Sequence, residues 1–222
     1  MKYGNIIRGS FIERLNRFAA RIEINGREET VHVKNTGRCR ELLLSGAEVY
    51  LTEPGSPGRK TRYDLVAVRK KNGILFNIDS QAPNRVVREW LDRQGFDRIR
   101  PEYTYGSSRI DFYLEKEDRK YLMEVKGCTL EVDGIGYFPD APTERGVKHL
   151  HELMRAAGEG YEAFAVFVIQ MDGVTEVLPN TKTHPAFGQA LAEAEAAGVK
   201  VLMLPCHVET DSLTVLSGYE LL

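Results

Sequence analysis

An all-β barrel over residues 1–80, followed by an α/β domain with a mixed sheet over residues 81–222, is the fold class the sequence predicts. Three observations carry it. The first 80 residues hold only short runs of strand character punctuated by Gly and Pro, Ser80–Pro83 interrupts the pattern, and beyond it strand-like and helix-like segments alternate. A composition of 42% hydrophobic and 28% charged residues is that of an ordinary globular protein. No run of about 18 apolar residues occurs, and the amino terminus lacks a charged-then-apolar leader, so no membrane partner is expected and the cytoplasm is the expected location. Cys39, Cys128 and Cys206 are odd in number and far apart, which predicts buried thiols over disulfides or a zinc site.

Phe11 to Ile24 reads as one long strand with Phe18, Ala20, Ile22 and Ile24 on one face. Asn25-Gly26 predicts a tight hairpin turn, because both residues tolerate positive φ, and Thr30 to Val33 is the returning strand. Asn35-Thr-Gly37 forms a turn, Arg38 to Leu44 one or two helical turns, and Ala47–Leu51, Tyr63–Arg69 and Gly73–Ile78 three more strands. The Glu53–Lys60 loop is too rich in Pro and Gly for regular structure. Short strands with one short helix fit a Greek-key barrel, best an oligonucleotide-binding (OB-like) one.

Asn84 to Gln94 reads as a helix capped by Asn84 and ended by Gly95, with Val86, Val87, Trp90 and Leu91 inward. Glu131 to Ala141 reads as a loop, and Thr143 caps a helix to about Ala157 with Val147, Leu150, Met154 and Ala157 inward. Phe164–Ile169 is a buried strand, Pro185–Ala197 a helix and Lys200–Leu204 a strand; Ser212–Leu216 and Tyr219–Leu222 can add an edge.

The chemistry lies between the two helices of this domain. Two apolar runs, Ser108–Leu114 and Tyr121–Lys126, flank the charged segment Glu115–Lys120 and predict a β-hairpin. Strand alternation puts Leu122, Glu124 and Lys126 on one face. Asp111 joins them if the register sets it opposite, which the sequence leaves open. Converging charges on apolar strands must pair or bind something. Two carboxylates and a strand carbonyl suit Mg²⁺, and a lysine one residue on could position a water or hold phosphate charge. By spacing alone, an exposed hairpin with ordinary salt bridges is the favoured reading, because acidic and basic residues are mostly exposed.

A net charge of −2 conceals an asymmetry: residues 1–100 hold 20 Lys+Arg against 12 Asp+Glu, and residues 101–222 hold 10 against 20. A basic first half is suited to phosphate contacts, and the acids of the second to a cation. Arg14, Arg17 and Arg21, Arg38 and Arg40, and Arg59, Lys60 and Arg62 are the candidate phosphate contacts, with Phe18 or Tyr63 as stacking surfaces where exposed.

Asp111 followed by Glu124-x-Lys126 resembles the signature of PD-(D/E)xK nucleases, with Ile110 in place of the proline. More of the chain resembles the sugar fermentation stimulation protein A family. The blocks are Phe11–Phe18, Asn35-Thr-Gly-Arg38 with Glu41-Leu-Leu, Ser108–Phe112, Glu124-Val-Lys-Gly127 and Phe138–Leu150, in order along most of the chain. The resemblance implies DNA (or RNA) binding without sequence preference by the barrel and a PD-(D/E)xK nuclease-like second domain. It implies a Mg²⁺ or Mn²⁺ site of Asp111 and Glu124, with Lys126 as the third catalytic residue. Asn16 and Asn35 beside Arg14, Arg17 and Arg38, and Arg145, Lys148 and His149 of the Thr-x-Arg-Gly-x-Lys-His block are the nucleic-acid contacts it implies, to which the charge of the loop adds Lys60. Glu89 stands where related nucleases often carry a further acid. The family is described as binding DNA, in connection with maltose metabolism, so a regulatory binder without turnover is the alternative. A hydrolase of small phosphorylated molecules is a third.

Overall fold

The structure, a computed structural model, describes residues 1–35, 37–55 and 58–221. Its first part comprises β1 (Ile6–Asn16), β2 (Ala19–Ile24), β3 (Arg27–Val33), β4 (Glu48–Thr52), β5 (Asp64–Arg69) and β6 (Leu75–Asn77). The hydrogen-bonded order β3-β2-β1-β4-β5 closes on itself, because β3 also pairs in parallel with β5 at His32↔Asp64 and Val33↔Leu65. The result is a closed five-stranded barrel, as expected, with β6 added beside β5. Ala20, Ile22, Ile24, Val31, Val33, Leu51 and Leu65 fill its interior. Asn25 (φ 51°) and Gly26 (φ 74°) make the β2–β3 turn in the left-handed conformation that hairpin twist demands.

One element differs from expectation. The stretch Phe11–Ile24 is not one strand but a hairpin that turns at Arg17–Phe18, which leaves Phe18 55% exposed instead of in the core. The Asn16 side chain fixes that turn by accepting from the Phe18 amide at 2.8 Å, a local competition with the strand ladder that alternation alone does not register. Arg38–Leu44 makes one turn, within expectation, closed by Leu43 N donating to the Cys39 carbonyl at 2.9 Å. Thr36 of the predicted Asn35–Gly37 turn, Ser56 and Pro57 of the Pro/Gly-rich loop and Leu222 of the tail lie outside the described residues.

The second part runs α1 (Ala82–Leu91), β7 (Arg98–Tyr105), β8 (Ser108–Lys116), β9 (Arg119–Cys128), β10 (Leu130–Val132), β11 (Ile135–Phe138), α2 (Glu144–Gly158), β12 (Glu162–Ile169), β13 (Val177–Pro179), α3 (Pro185–Ala196), β14 (Lys200–Val208) and β15 (Leu213–Val215). A mixed sheet in the order β15-β14-β12-β9-β8-β7 is its backbone: β9, β12 and β14 are parallel, linked through α2 and α3, and β7-β8-β9 are antiparallel. The edge strand β7 carries Pro101, tolerable only at a sheet edge, and this proline masks the strand in the sequence. Glu131–Ala141 is in part a hairpin, β10–β11, extended by β13. Helix α1 begins before Asn84, at Ala82 with Pro83 in its first turn.

The two parts share their interior, and both apolar clusters contain residues from each. At the junction Asp79, fully buried, accepts from Lys34 Nζ at 2.8 Å, Tyr3 Oη at 3.1 Å and the Gln81 amide at 2.9 Å. The three cysteines are buried and unpaired, as expected. No helix among the described residues is long and apolar enough to cross a membrane.

Candidate functional site

Hairpin register decides whether the acids meet. Strands β8 and β9 pair at Phe112↔Met123, Tyr113↔Leu122 and Leu114↔Tyr121 around a two-residue turn at Glu117-Asp118, narrower than the six-residue turn expected. Continued by one step, this register sets Asp111 across from Glu124 on the same face. Asp111 Oδ2 accepts from the Val125 amide at 2.8 Å and Oδ1 from Asn84 Nδ2 at 2.7 Å. Asn84 is therefore not the cap of α1; it sits in the first turn and reaches across to the acid, a role no sequence signal announced. Glu89, farther along α1, pairs with the Met1 amino group at 2.7 Å and takes no part in the hairpin site.

Glu124 is 3% exposed. Its Oε1 accepts from Lys126 Nζ at 2.6 Å and is hydrogen-bonded by His149 Nδ1. Its Oε2, equally buried, has no hydrogen-bond partner. Burial pushes the Glu124 carboxyl up, but the His149 and Lys126 bonds outweigh it and hold the group below the usual carboxylate range. Asp111 goes the other way: burial, then the Glu124 charge, raise it above its ordinary value.

His149 was expected on the solvated side of α2, facing a phosphate, and is instead 4% exposed against Glu124. The buried stripe of α2 is rotated from the expected one: Gly146, His149, Leu150, Glu152, Leu153 and Ala156 are inside, while Val147, Met154 and Ala157 are half-buried at its margin. The helix begins as expected, with Thr143 Oγ1 accepting from the Gly146 amide at 3.1 Å. Arg145 Nε donates to His149 Nε2 at 3.3 Å, so the ring hydrogen sits on Nδ1, pointed at Glu124. The exposed Lys148 donates to the Ser107 carbonyl at 3.0 Å.

The barrel residues gather around Asn35, Gly37 and Arg38. Arg14 is spent there: its guanidinium donates to the carbonyls of Asn16, Arg17, Asn35, Gly37 and Arg38 at 2.7–3.2 Å, so it builds the loop and has no donor left for a phosphate. Asn35 Oδ1 accepts from Gly37 N at 2.7 Å. Arg17, Arg38 and Arg40 are exposed, with no acidic partner among the described residues, and border an open trough floored by Leu43, Ala141 and Pro142. Arg59 and Arg62 pair with Asp64 and Glu53, whereas Lys60 is exposed. Tyr63 is buried, which leaves Phe18 as the exposed aromatic. The Arg38 amide donates to Asp140 Oδ2 of the second part at 2.9 Å, so trough and hairpin site flank one junction.

Comparison with known proteins agrees with this architecture. The model of the SfsA N-terminal OB domain matches residues 12–78, and that of the Sugar fermentation stimulation protein RE domain matches residues 81–212. The chain belongs to the sugar fermentation stimulation protein family. A homolog from Desulfitobacterium hafniense (strain DSM 10664 / DCB-2) is 56% identical, over 96% of this chain and 94% of the homolog. One from Clostridium beijerinckii is 48% identical, over 97% and 96%. Among solved structures, Pyrococcus furiosus SfsA in complex with Ca²⁺ superposes with a TM-score of 0.85 at 30% identity, covering 96% of this chain and 94% of that one. In this family member, then, the hairpin acids, the helix-borne His149 and the arginine-edged trough are parts of one two-part fold.

Proposed function

We propose that this chain binds DNA through the barrel without sequence preference and hydrolyses its backbone at a PD-(D/E)xK nuclease-like site of Asp111, Glu124 and Lys126. The observation that carries the reading is the buried, partnerless Oε2 of Glu124, on a residue that the strand register sets across from Asp111. A buried acceptor left unpaired costs about 1–3 kcal/mol, more when charged, so a cation is the natural occupant. The Asp111 and Glu124 carboxylates with the Val125 carbonyl are the hard oxygen donors that Mg²⁺ or Mn²⁺ takes. The Ca²⁺ bound to the Pyrococcus furiosus relative is of the same chemical type.

When bound, the cation would polarise a phosphoryl oxygen and acidify a water. The chain's own residues do the rest. Asn84 and the Val125 amide hold both Asp111 oxygens, and His149, its tautomer set by Arg145, holds Glu124 Oε1 so that Oε2 is left for the cation. Lys126, mostly buried 2.6 Å from Glu124, orients the attacking water or carries charge developing on the phosphate. Arg145 and Lys148 on α2 and Lys60, Arg17 and Arg38 on the barrel, beside Asn16 and Asn35, hold neighbouring phosphates, which positions a strand without reading its bases.

A second reading, a regulatory DNA binder without turnover, has its own support. Lys126 and His149 both lie on Glu124 Oε1, and among the described residues no three His, Cys, Asp or Glu side chains group as metal ligands. The deciding experiment incubates end-labelled single-stranded DNA, duplex DNA and RNA with Mg²⁺ or Mn²⁺ and wild type, Asp111→Ala or Lys126→Ala protein. Cleavage reduced at least about 100-fold by either substitution supports hydrolysis. Equal DNA binding by all three with no cleavage supports the regulatory reading.

A further inference from the structure

A second cavity, of about 340 Å³, opens between Asn35 and Gly37 of the barrel and the Phe138–Thr143 segment of the second part. At its floor lies Gln170, 1% exposed. Its Nε2 donates to the carbonyls of Asn77 and Asp79, each at 3.1 Å, and to Asn77 Oδ1 at 2.9 Å, which fixes the amide plane. Its Oε1, at the other end of the same amide, accepts no hydrogen bond from the described residues and, unlike Glu124 Oε2, is not sealed from solvent, so it is open to the cavity that Gln170 lines. Gly127 passes so close that a Cβ there would lie 2.3 Å from this oxygen and 2.7 Å from Pro83 Cγ. Only glycine lets the strand end pack here with the amide oxygen uncovered.

The lining selects the ligand. Inside are acceptors, Gln170 Oε1 and the Asp140 carboxylate, which repel a phosphate but match the amino and imino hydrogens of a nucleobase edge. Tyr137, Phe138 and Pro139 offer flat apolar surface for a planar ring. The positive charge is at the rim, where Arg17 borders both this cavity and the basic trough. Gly127 directly follows Lys126, so the cavity adjoins the hairpin site along the chain.

We propose that this cavity takes the base of one unpaired nucleotide of a bound polynucleotide, its phosphate held at Arg17 beside the hairpin site. The inference rests on the DNA binding proposed above and adds strand preference to it. A base in a duplex has its edge paired and its faces stacked, so it enters such a recess only by leaving the helix. Single strands, ends and frayed junctions present one directly.

The test measures binding in Ca²⁺, to suppress turnover, by fluorescence anisotropy. The probes are a short single-stranded oligodeoxynucleotide, the same length made wholly of abasic units, the duplex, and free deoxynucleoside monophosphates. The expected order is the natural strand bound at least tenfold more tightly than the abasic strand or the duplex, with the monophosphates far weaker. Tyr137→Ala and Gly127→Ala should each erase the preference for bases and leave abasic binding unchanged; Tyr137→Ala carries the test if Gly127→Ala fails to fold. Natural and abasic strands bound within twofold by wild type would overturn the base pocket while leaving the phosphate-binding barrel standing. So would variants that keep the preference, and monophosphates bound as tightly as the oligonucleotide would make this a small-molecule site. Loss of affinity for every polymer would overturn both readings.

Discussion

The acid pair of the mixed sheet and the arginine edge of the barrel are both concentrations of charge, yet they are built in opposite ways. Asp111 and Glu124 are surrounded by donors assigned to three of their four oxygens, and the fourth, Glu124 Oε2, is buried and open. Arg17, Arg38 and Arg40 have no acidic partner among the described residues and stand in solvent. Between these extremes lies Arg14, as basic as its neighbours and committed to five carbonyls. The sign of a charge therefore says little about its task. What separates a fold-building charge from a ligand-binding one is whether its hydrogen-bonding capacity is already satisfied by the chain.

The largest effect that follows falls on the closed inventory of Arg14. Arg14→Ala leaves up to five carbonyls of the Asn16–Arg38 region without their donor, and charged donors contribute about 1.5–3 kcal/mol each before water substitutes at the exposed ones. A net loss of about 2–3 kcal/mol in urea unfolding is expected. Arg17→Ala, three residues along, should change stability by less than about 0.5 kcal/mol. If the two substitutions proved equal, the division drawn here between spent and open arginines would be wrong.

The same distinction decides what could be read from the sequence. Alternation placed Glu124 and Lys126 on one face, and the apolar runs gave the barrel strands, the hairpin and the mixed sheet, because strand period and burial are local properties. Asp111 needed the register, which the Glu117-Asp118 turn sets only in three dimensions. Asn84 reading Asp111, and His149 turned inward onto Glu124, depend on how α1 and α2 dock on the sheet, and a polar residue in a helix sequence looks the same whether it meets water or an acid. Arg14, Arg17 and Arg38 were indistinguishable for the same reason: their difference is a set of carbonyls brought together by a turn at Arg17–Phe18 that strand alternation ran straight through. Gln170 ended a run read only as a buried strand.

An intermediate effect, opposite in sign to that of Arg14→Ala, should come from the acid pair. Burial and the Glu124 charge raise Asp111 above its ordinary value of 3.8, so the folded state holds that proton more firmly than the unfolded chain. Such a group contributes stability that is fully present below the unfolded value and is lost as pH rises through the folded one. At pH above the folded value the ionised Asp111 is thus a burden, and there Asp111→Asn should stabilise the cation-free protein by on the order of 1 kcal/mol. The gain should vanish in acid, below the ordinary carboxylate value. The same variant should lose the rise in Tm that Ca²⁺ or Mg²⁺ gives the wild type. A cation-dependent rise that survives in Asp111→Asn, or a variant less stable than wild type at pH above the folded value, would mean the carboxylate serves the fold and not a cation.

The smallest change in stability should accompany the most specific change in binding. Arg17→Ala together with Arg38→Ala removes two exposed guanidinium groups that no acidic partner holds among the described residues, so unfolding should be unaffected within about 0.5 kcal/mol. If each holds one phosphate, fewer counterions are released on binding, and the slope of log K against log salt should flatten by about 1.4 on single-stranded DNA or about 1.8 on duplex. Because these contacts are to the backbone, affinity should fall by the same factor for unrelated sequences. An unchanged slope would mean that the trough is not the path of the strand. A loss confined to one sequence would mean that these arginines reach base edges, and the barrel would then read DNA as well as hold it.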